Sequence, residues 1–307
     1  MLFRGNLVKG HRCNRRGTAL SFTFYLDTRA RPSLNEILYS IELENVWARM
    51  SDGKCSSDAP LTVPITFYQP GQSVRGVCLN LNEKGYAICL DAFTPISDGR
   101  LCAAVVQATA FAARCRVRPE DGTALLSATK VAAFCNEEWL QNRRSEAEVI
   151  LSACTQEDNP AKEVSIAGFR IDYTISGEMV RSLERDGLSR DKIVERFLSE
   201  ARELQELVES GNIATPAIIE VSENEAAPKS VDCFFLWPDR RTLLPPADYV
   251  LLFVESEGNS VYRRLPMGLF KAHAVARGYR RFGANVFQIP PLPMDEYLQL
   301  YGQAEPM

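Results

Sequence analysis

Residues 73–115 read SVRGVCLNLNEKGYAICLDAFTPISDGRLCAAVVQATAFAARC. Two apolar runs, 74–81 and 86–93, flank Asn82-Glu83-Lys84-Gly85, which is turn chemistry between strand-forming segments. An even loop over 82–85 pairs residues equidistant from it, so Cys78 is expected opposite Cys89. Ser97 or Asp98 then offers an N-cap for a helix over 101–114. Leu101, Val105, Ala108 and Ala112 form its apolar stripe, Cys102, Ala104 and Phe111 widen it, and no charge interrupts 101–113. A helix that is apolar nearly all round is a buried one. Hairpin and helix together predict an antiparallel sheet with a helix packed on it.

Working outward, Leu20, Phe22, Phe24 and Leu26 alternate on one face of a strand. Ser33 followed by Glu36 is a capping box, and it opens a helix through Ile37, Leu38 and Ile41. Residues 51–60 are a polar loop, and 63–68 read as a strand. Helices are expected over 127–134, 136–154 and 189–209, the last with Ile193, Phe197, Leu204, Leu207 and Val208 on its apolar face. Residues 164–175 alternate as one strand; 216–221 and 231–237 are further strands, and 249–255 with 260–265 form a second hairpin. A short helix over 267–277, a strand over 286–289 and a last helical turn over 295–301 close the chain. The strands lack regular βαβ spacing. The fold class is therefore α+β, with mixed or antiparallel sheets built from hairpins and helices on one face. Two similar-sized halves, 18–158 and 159–307, are expected to meet in the polar stretch 155–163, behind a flexible basic tail over 1–17.

The 307 residues are 46% hydrophobic and 24% charged, with a net charge of −4, a globular composition. Nine cysteines occur without a CxxC pair, which fits reduced thiols used as small apolar groups and a cytoplasmic setting, not a disulfide framework or a zinc site. No apolar run is long enough to span a bilayer, so no membrane partner is expected. The phosphate-cradling, dinucleotide-binding, zinc-protease and nucleophile-elbow motifs are absent, and the only histidines are His11 and His273. His273 reads as a surface or half-buried residue. An enzyme would have to lean on it or on carboxylates that nothing singles out, so no enzyme, cofactor or metal is expected.

Charge is segregated. Residues 258–294 contain no Asp or Glu but carry Arg263, Arg264, Lys271, Arg277, Arg280 and Arg281, interleaved with Tyr262, Phe270, Tyr279 and Phe282. The helix over 189–209 presents Glu195, Glu203 and Glu206 on its polar face. Three readings follow: a solvated edge balanced by that acidic helix, a protein-docking surface, or a phosphate- and base-binding surface. The partner-binding candidates are Arg263, Arg264, Arg277, Arg280, Arg281, Glu195, Glu203 and Glu206.

The SFTFYL strand with its SLNE helix start, the VRGVCLNLNEKGYAICL hairpin before a long helix, and PADYVLLFVESEGNSVYRRLP before a short helix occur in this order. That order resembles an uncharacterised bacterial family carrying a domain of unknown function, similar to the immunity proteins of secreted-toxin systems. The resemblance implies a cytoplasmic protein that neutralises a toxin-like partner by occluding its active site. The alternatives are a nucleic-acid-binding accessory protein using 263–281 and a carboxylate-based enzyme.

Overall fold

The computed structural model describes residues 21–50, 56–122, 124–155, 163–211, 213–221, 229–256 and 259–307. The basic tail over 1–17, Cys13, Cys55 and the expected meeting point near residue 158 lie outside the described residues. The chain divides into two compact units after Glu206. The fold class is α+β, as the sequence implies.

In the first unit the order is β1 (Phe22–Asp27), α1 (Leu34–Tyr39), β2 (Trp47–Met50), β3 (Ile65–Tyr68), β4 (Val77–Asn82), β5 (Gly85–Leu90), α2 (Ile96–Ala112) and β6 (Arg118–Pro119). A 3₁₀ turn, Ala128–Lys130, leads into α3 (Val131–Phe134) and α4 (Glu137–Thr155). Then come β7 (Glu163–Ile166), β8 (Tyr173–Ser176), α5 (Gly177–Arg185) and α6 (Arg190–Glu209). A six-stranded antiparallel sheet has the order β2-β3-β4-β5-β1-β6. Its apolar face (Phe24, Leu26, Ile65, Phe67, Leu79, Ile88) packs with Leu101, Cys102, Val105 and Ala108 of α2 in one core.

The β4–β5 hairpin forms in the expected register, with Cys78 opposite Cys89. Among the described residues no cysteine is in a disulfide. The Asn82 side-chain oxygen accepts from the backbone N–H groups of Lys84 (2.8 Å) and Gly85 (2.9 Å), an Asx turn that sets the loop. Gly85 has φ +152°, and a Cβ there would lie 2.0 Å from the Leu26 carbonyl oxygen of β1. Gly85→Ala is expected to cost about 3 kcal/mol. The measurement is a lowered urea midpoint at unchanged slope, and wild-type stability would show that the turn does not need glycine.

Several local expectations are corrected. The capping box at Ser33 and Glu36 is present, but α1 stops at Tyr39, where the Ser40 hydroxyl turns back to the Glu36 carbonyl (2.9 Å). Neither Ser97 nor Asp98 caps α2. The helix starts behind Pro95, and Asp98 instead accepts from the N–H groups of Val74, Arg75 and Gly76 at 3.0–3.1 Å. A strand-forming segment, Trp47–Met50, was concealed by its half-exposed pattern. The run 164–175 is two strands in a hairpin, β7 and β8, because the segment between them is held elsewhere. There the Gln205 side-chain oxygen accepts from the N–H of Arg170 (2.8 Å) and its amide donates to the Ile171 carbonyl (2.8 Å). Phe111, expected in the core stripe of α2, is 67% exposed.

The second unit comprises β9 (Thr215–Val221), β10 (Lys229–Phe235), β11 (Thr242–Leu244), β12 (Tyr249–Ser256), β13 (Asn259–Pro266), α7 (Met267–Ala276), β14 (Arg280–Phe282), β15 (Val286–Ile289), α8 (Met294–Gln303) and β16 (Glu305–Pro306). Its main sheet, ordered β16-β13-β12-β10-β9, is mixed: β10 and β12 run parallel and every other pair is antiparallel. A three-stranded antiparallel sheet is ordered β11-β15-β14. Phe270 and Ala274 of α7 and Tyr297 and Leu300 of α8 pack with Val250, Leu252 and Leu265 of the main sheet in one core. Among the described residues no helix is long and apolar enough to cross a membrane.

Candidate partner-binding surface on the second unit

The acid-free segment folds into β13, α7, β14 and β15, and several of its cations are held by partners within the second unit. Arg264 makes an ion pair with Glu305 of β16 (3.2 Å) and lies over the Tyr249 ring. Arg263 donates to the Tyr301 carbonyl (3.3 Å) and lies over that ring. Lys271 donates to the Asn285 side chain (3.1 Å). These three are consumed by the second unit itself.

Arg277 belongs to a different arrangement. Helix α7 ends in a left-handed Gly278 (φ +67°), and the Tyr279 N–H returns to the Ala274 carbonyl (2.9 Å), a glycine-dependent helix stop. That stop folds Tyr279 back beside His273. Helix α8 starts behind Pro293, which places the buried Glu296 in its first turn. The Glu296 carboxylate accepts from Arg277 Nη2 and from the Tyr279 hydroxyl, and its Oε1 lies 2.8 Å from His273 Nε2. The hydrogen bond from Arg277, with those from Tyr279 and His273, holds the Glu296 carboxyl down to about 2 against the opposing effect of burial. Burial and the bond to Glu296 push the Tyr279 hydroxyl up to about 12. A carboxylate already engaged by three donors has its acceptor capacity largely spent. The arrangement therefore clamps α7 to α8 and fixes the His273 ring.

Facing solvent, α7 presents Leu269, Ala272, Val275 and Ala276, all exposed, opposite its buried Met267, Phe270 and Ala274. These exposed positions fall on one side of a helical wheel, so the outward face of α7 carries apolar side chains and no charge. Met294 and Leu298 of α8 are exposed as well. Just past α7, Arg277 keeps half its side chain exposed, and Arg280 and Arg281 are exposed on β14, Arg280 over the Phe282 ring.

The acidic candidates lie on α6. Glu195 and Asp191 hold Arg144 of α4 at 2.9 and 2.8 Å, so Glu195 is engaged within its own unit. Glu203 is half-buried with an interaction of its own, and Glu206 is exposed. The acids that offset the basic segment lie just past its end, at Glu296 and Glu305. Sequence reading singled out Tyr279 but missed Glu296 and the meeting of the two; the available signal was the pair Gly278-Tyr279 after a helix and Asp295-Glu296 behind a proline. Among the described residues no group of three or more His, Cys, Asp or Glu is placed to hold a metal ion. No family model, no curated protein and no solved structure matches the chain.

Proposed function

We propose that the protein is a protein-binding module of the immunity type, cytoplasmic, which occludes a functional surface of a toxin-like partner. The observation that carries this reading is the outward face of α7: Leu269, Ala272, Val275 and Ala276 are exposed on one side of the helix, with exposed Arg277 directly after it and Arg280 and Arg281 exposed on the strand that follows. Exposed apolar side chains with arginines nearby in the chain are the composition of a protein interface. A surface made for nucleic-acid backbones would keep its arginines central and available, whereas here Arg263, Arg264 and Arg277 are partly spent on Tyr301, Glu305 and Glu296. These arginines select an acidic partner surface and speed its encounter.

The test is affinity capture from the source cells with quantitative mass spectrometry. The bait is the wild-type chain, Leu269→Glu with Val275→Glu, or Arg280→Glu with Arg281→Glu. All substituted side chains are exposed, so thermal midpoints should stay within a few degrees of wild type. The expected result is one protein enriched by the wild type and lost at least tenfold from both variants, more steeply at high salt for the arginine pair. Recovery that ignores both surfaces, or recovery of nucleic acid in place of protein, would refute the reading.

A further inference from the structure

The first unit carries a pair of sulfurs on the face of its sheet turned away from α2. Cys78 and Cys89 alternate along β4 and β5 with the core residues Val77, Leu79, Ile88 and Leu90, so their side chains project from the opposite face. They stand directly opposite one another, in a row that runs Thr66, Cys78, Cys89, Thr23 across β3, β4, β5 and β1. Both are half-buried, whereas Cys102, Cys135, Cys154 and Cys233 are buried. Burial pushes the thiols of Cys102, Cys135 and Cys233 up, which keeps them protonated and inert.

Asn80, two residues along β4 on the same face, reaches both sulfurs. Its side-chain oxygen accepts from the Cys78 thiol at 3.5 Å, and its amide donates to the Cys89 sulfur at 3.9 Å. The Thr23 hydroxyl, which can also donate, lies 3.7 Å from the Cys89 sulfur. The two thiols are thus set up differently. Cys78 holds its proton towards an acceptor, while Cys89 faces two groups able to donate to a thiolate. Directly opposite residues of an antiparallel pair place their Cβ atoms about 4.5–5.5 Å apart, and a relaxed disulfide needs about 3.8 Å. A bond between them therefore requires only a small inward shift but stays strained, which makes it reducible and not a permanent staple.

We propose that Cys78 and Cys89 form a peroxide-responsive thiol switch, with Cys89 the attacking sulfur and Cys78 the resolving one. The Cys89 thiolate attacks hydrogen peroxide; the S–O bond forms, the O–O bond breaks, and the departing hydroxide takes up the proton that Cys89 released, giving water. Cys89 is then a sulfenic acid, oxidised by two electrons while the peroxide is reduced. The Cys78 sulfur attacks it; the S–S bond forms, the S–O bond breaks, and the hydroxyl leaves with the Cys78 proton as a second water. Two molecules of reduced glutathione reopen the bond by thiol–disulfide exchange and leave as glutathione disulfide.

The test is tryptic mapping of the full wild-type chain after treatment with about one to five equivalents of hydrogen peroxide and blocking with N-ethylmaleimide. Lys84 lies between the two cysteines and Arg75 and Arg100 flank them, so cleavage releases peptides 76–84 and 85–100, each with one cysteine. The expected result is these two peptides joined, at least tenfold faster in the folded chain than in guanidinium, and parted again by about 1 mM reduced glutathione. With dimedone present, Cys78→Ser should carry the adduct on Cys89, and Cys89→Ser should carry at least tenfold less on Cys78. Maleimide on both cysteines of the peroxide-treated chain, joining no faster than in the unfolded chain, or a dimedone adduct that favours Cys78 would overturn the proposal. So would a link from either cysteine to a second chain, seen as a dimer on a non-reducing gel.

Discussion

Asp98→Ala is expected to lower the stability of the protein by about 4 kcal/mol at pH 7, the largest single loss from any one carboxylate in its first unit. Asp98 is fully buried at the start of α2, and its Oδ2 accepts from three successive backbone N–H groups, those of Val74, Arg75 and Gly76. The loop can fold into that cradle because Gly76 takes φ +69°, where a Cβ would meet the Phe67 carbonyl oxygen at 2.4 Å. Burial pushes the Asp98 carboxyl above its ordinary value, and the hydrogen bonds from the Ser73 side chain and then from the three N–H groups oppose it. Alanine removes the acceptor and leaves buried donors with no partner, each costing about 1–3 kcal/mol. Asn keeps an acceptor oxygen and the volume, so Asp98→Asn should lose about half as much. Urea denaturation of the two variants decides it: a loss below about 1 kcal/mol for alanine would mean that water or a shifted loop satisfies the N–H groups.

Glu296→Gln is expected to destabilise the protein by about 3 kcal/mol at pH 7 and to remove a specific part of its acid sensitivity. The folded carboxyl is held to about 2, below its ordinary 4.5, first by the bond from Arg277. For a depressed acid the unfolded chain takes up the proton first. The stabilisation is therefore complete above pH 4.5 and is lost as the pH falls through the window down to about 2. The Gln variant keeps a side-chain oxygen for Tyr279 or His273 but has no charge for Arg277, and it has nothing to titrate. Denaturation of both proteins at pH 7, 4 and 3 should show the gap between them narrowing as acid is added. A constant gap would mean that Glu296 contributes through packing and not through its charge.

These two sites show where sequence reading stopped. The hairpin over 73–93 was legible because strand patterning is local and Asn82 and Gly85 carry their own turn chemistry. The capping box at Ser33 was legible for the same reason: donor and acceptor are three residues apart. Asp98 looked like a cap because it precedes an apolar helix. Its real partners, 22–24 residues back, are backbone groups that leave no trace in residue identity. Glu296 lies 19 residues from Arg277 and 23 from His273, and no spacing rule reports such a meeting. Phe111 fits an apolar stripe as well as its neighbours do, and only the packing of α2 decided that its ring would face solvent.

Residue order alone carries the α+β class, the central hairpin with its Cys78–Cys89 register, and the uneven distribution of charge. Those properties follow from periodicity, turn residues and composition, which act over a few residues. Tertiary packing set which charges are engaged. It matched Arg263, Arg264 and Arg277 to Tyr301, Glu305 and Glu296. It left Arg280 and Arg281 exposed on β14 and the rings of Tyr39 and Phe111 facing solvent. The reason is physical: a side chain is buried, paired or left open according to what the whole chain packs around it, and that neighbourhood is assembled from residues far apart in the sequence.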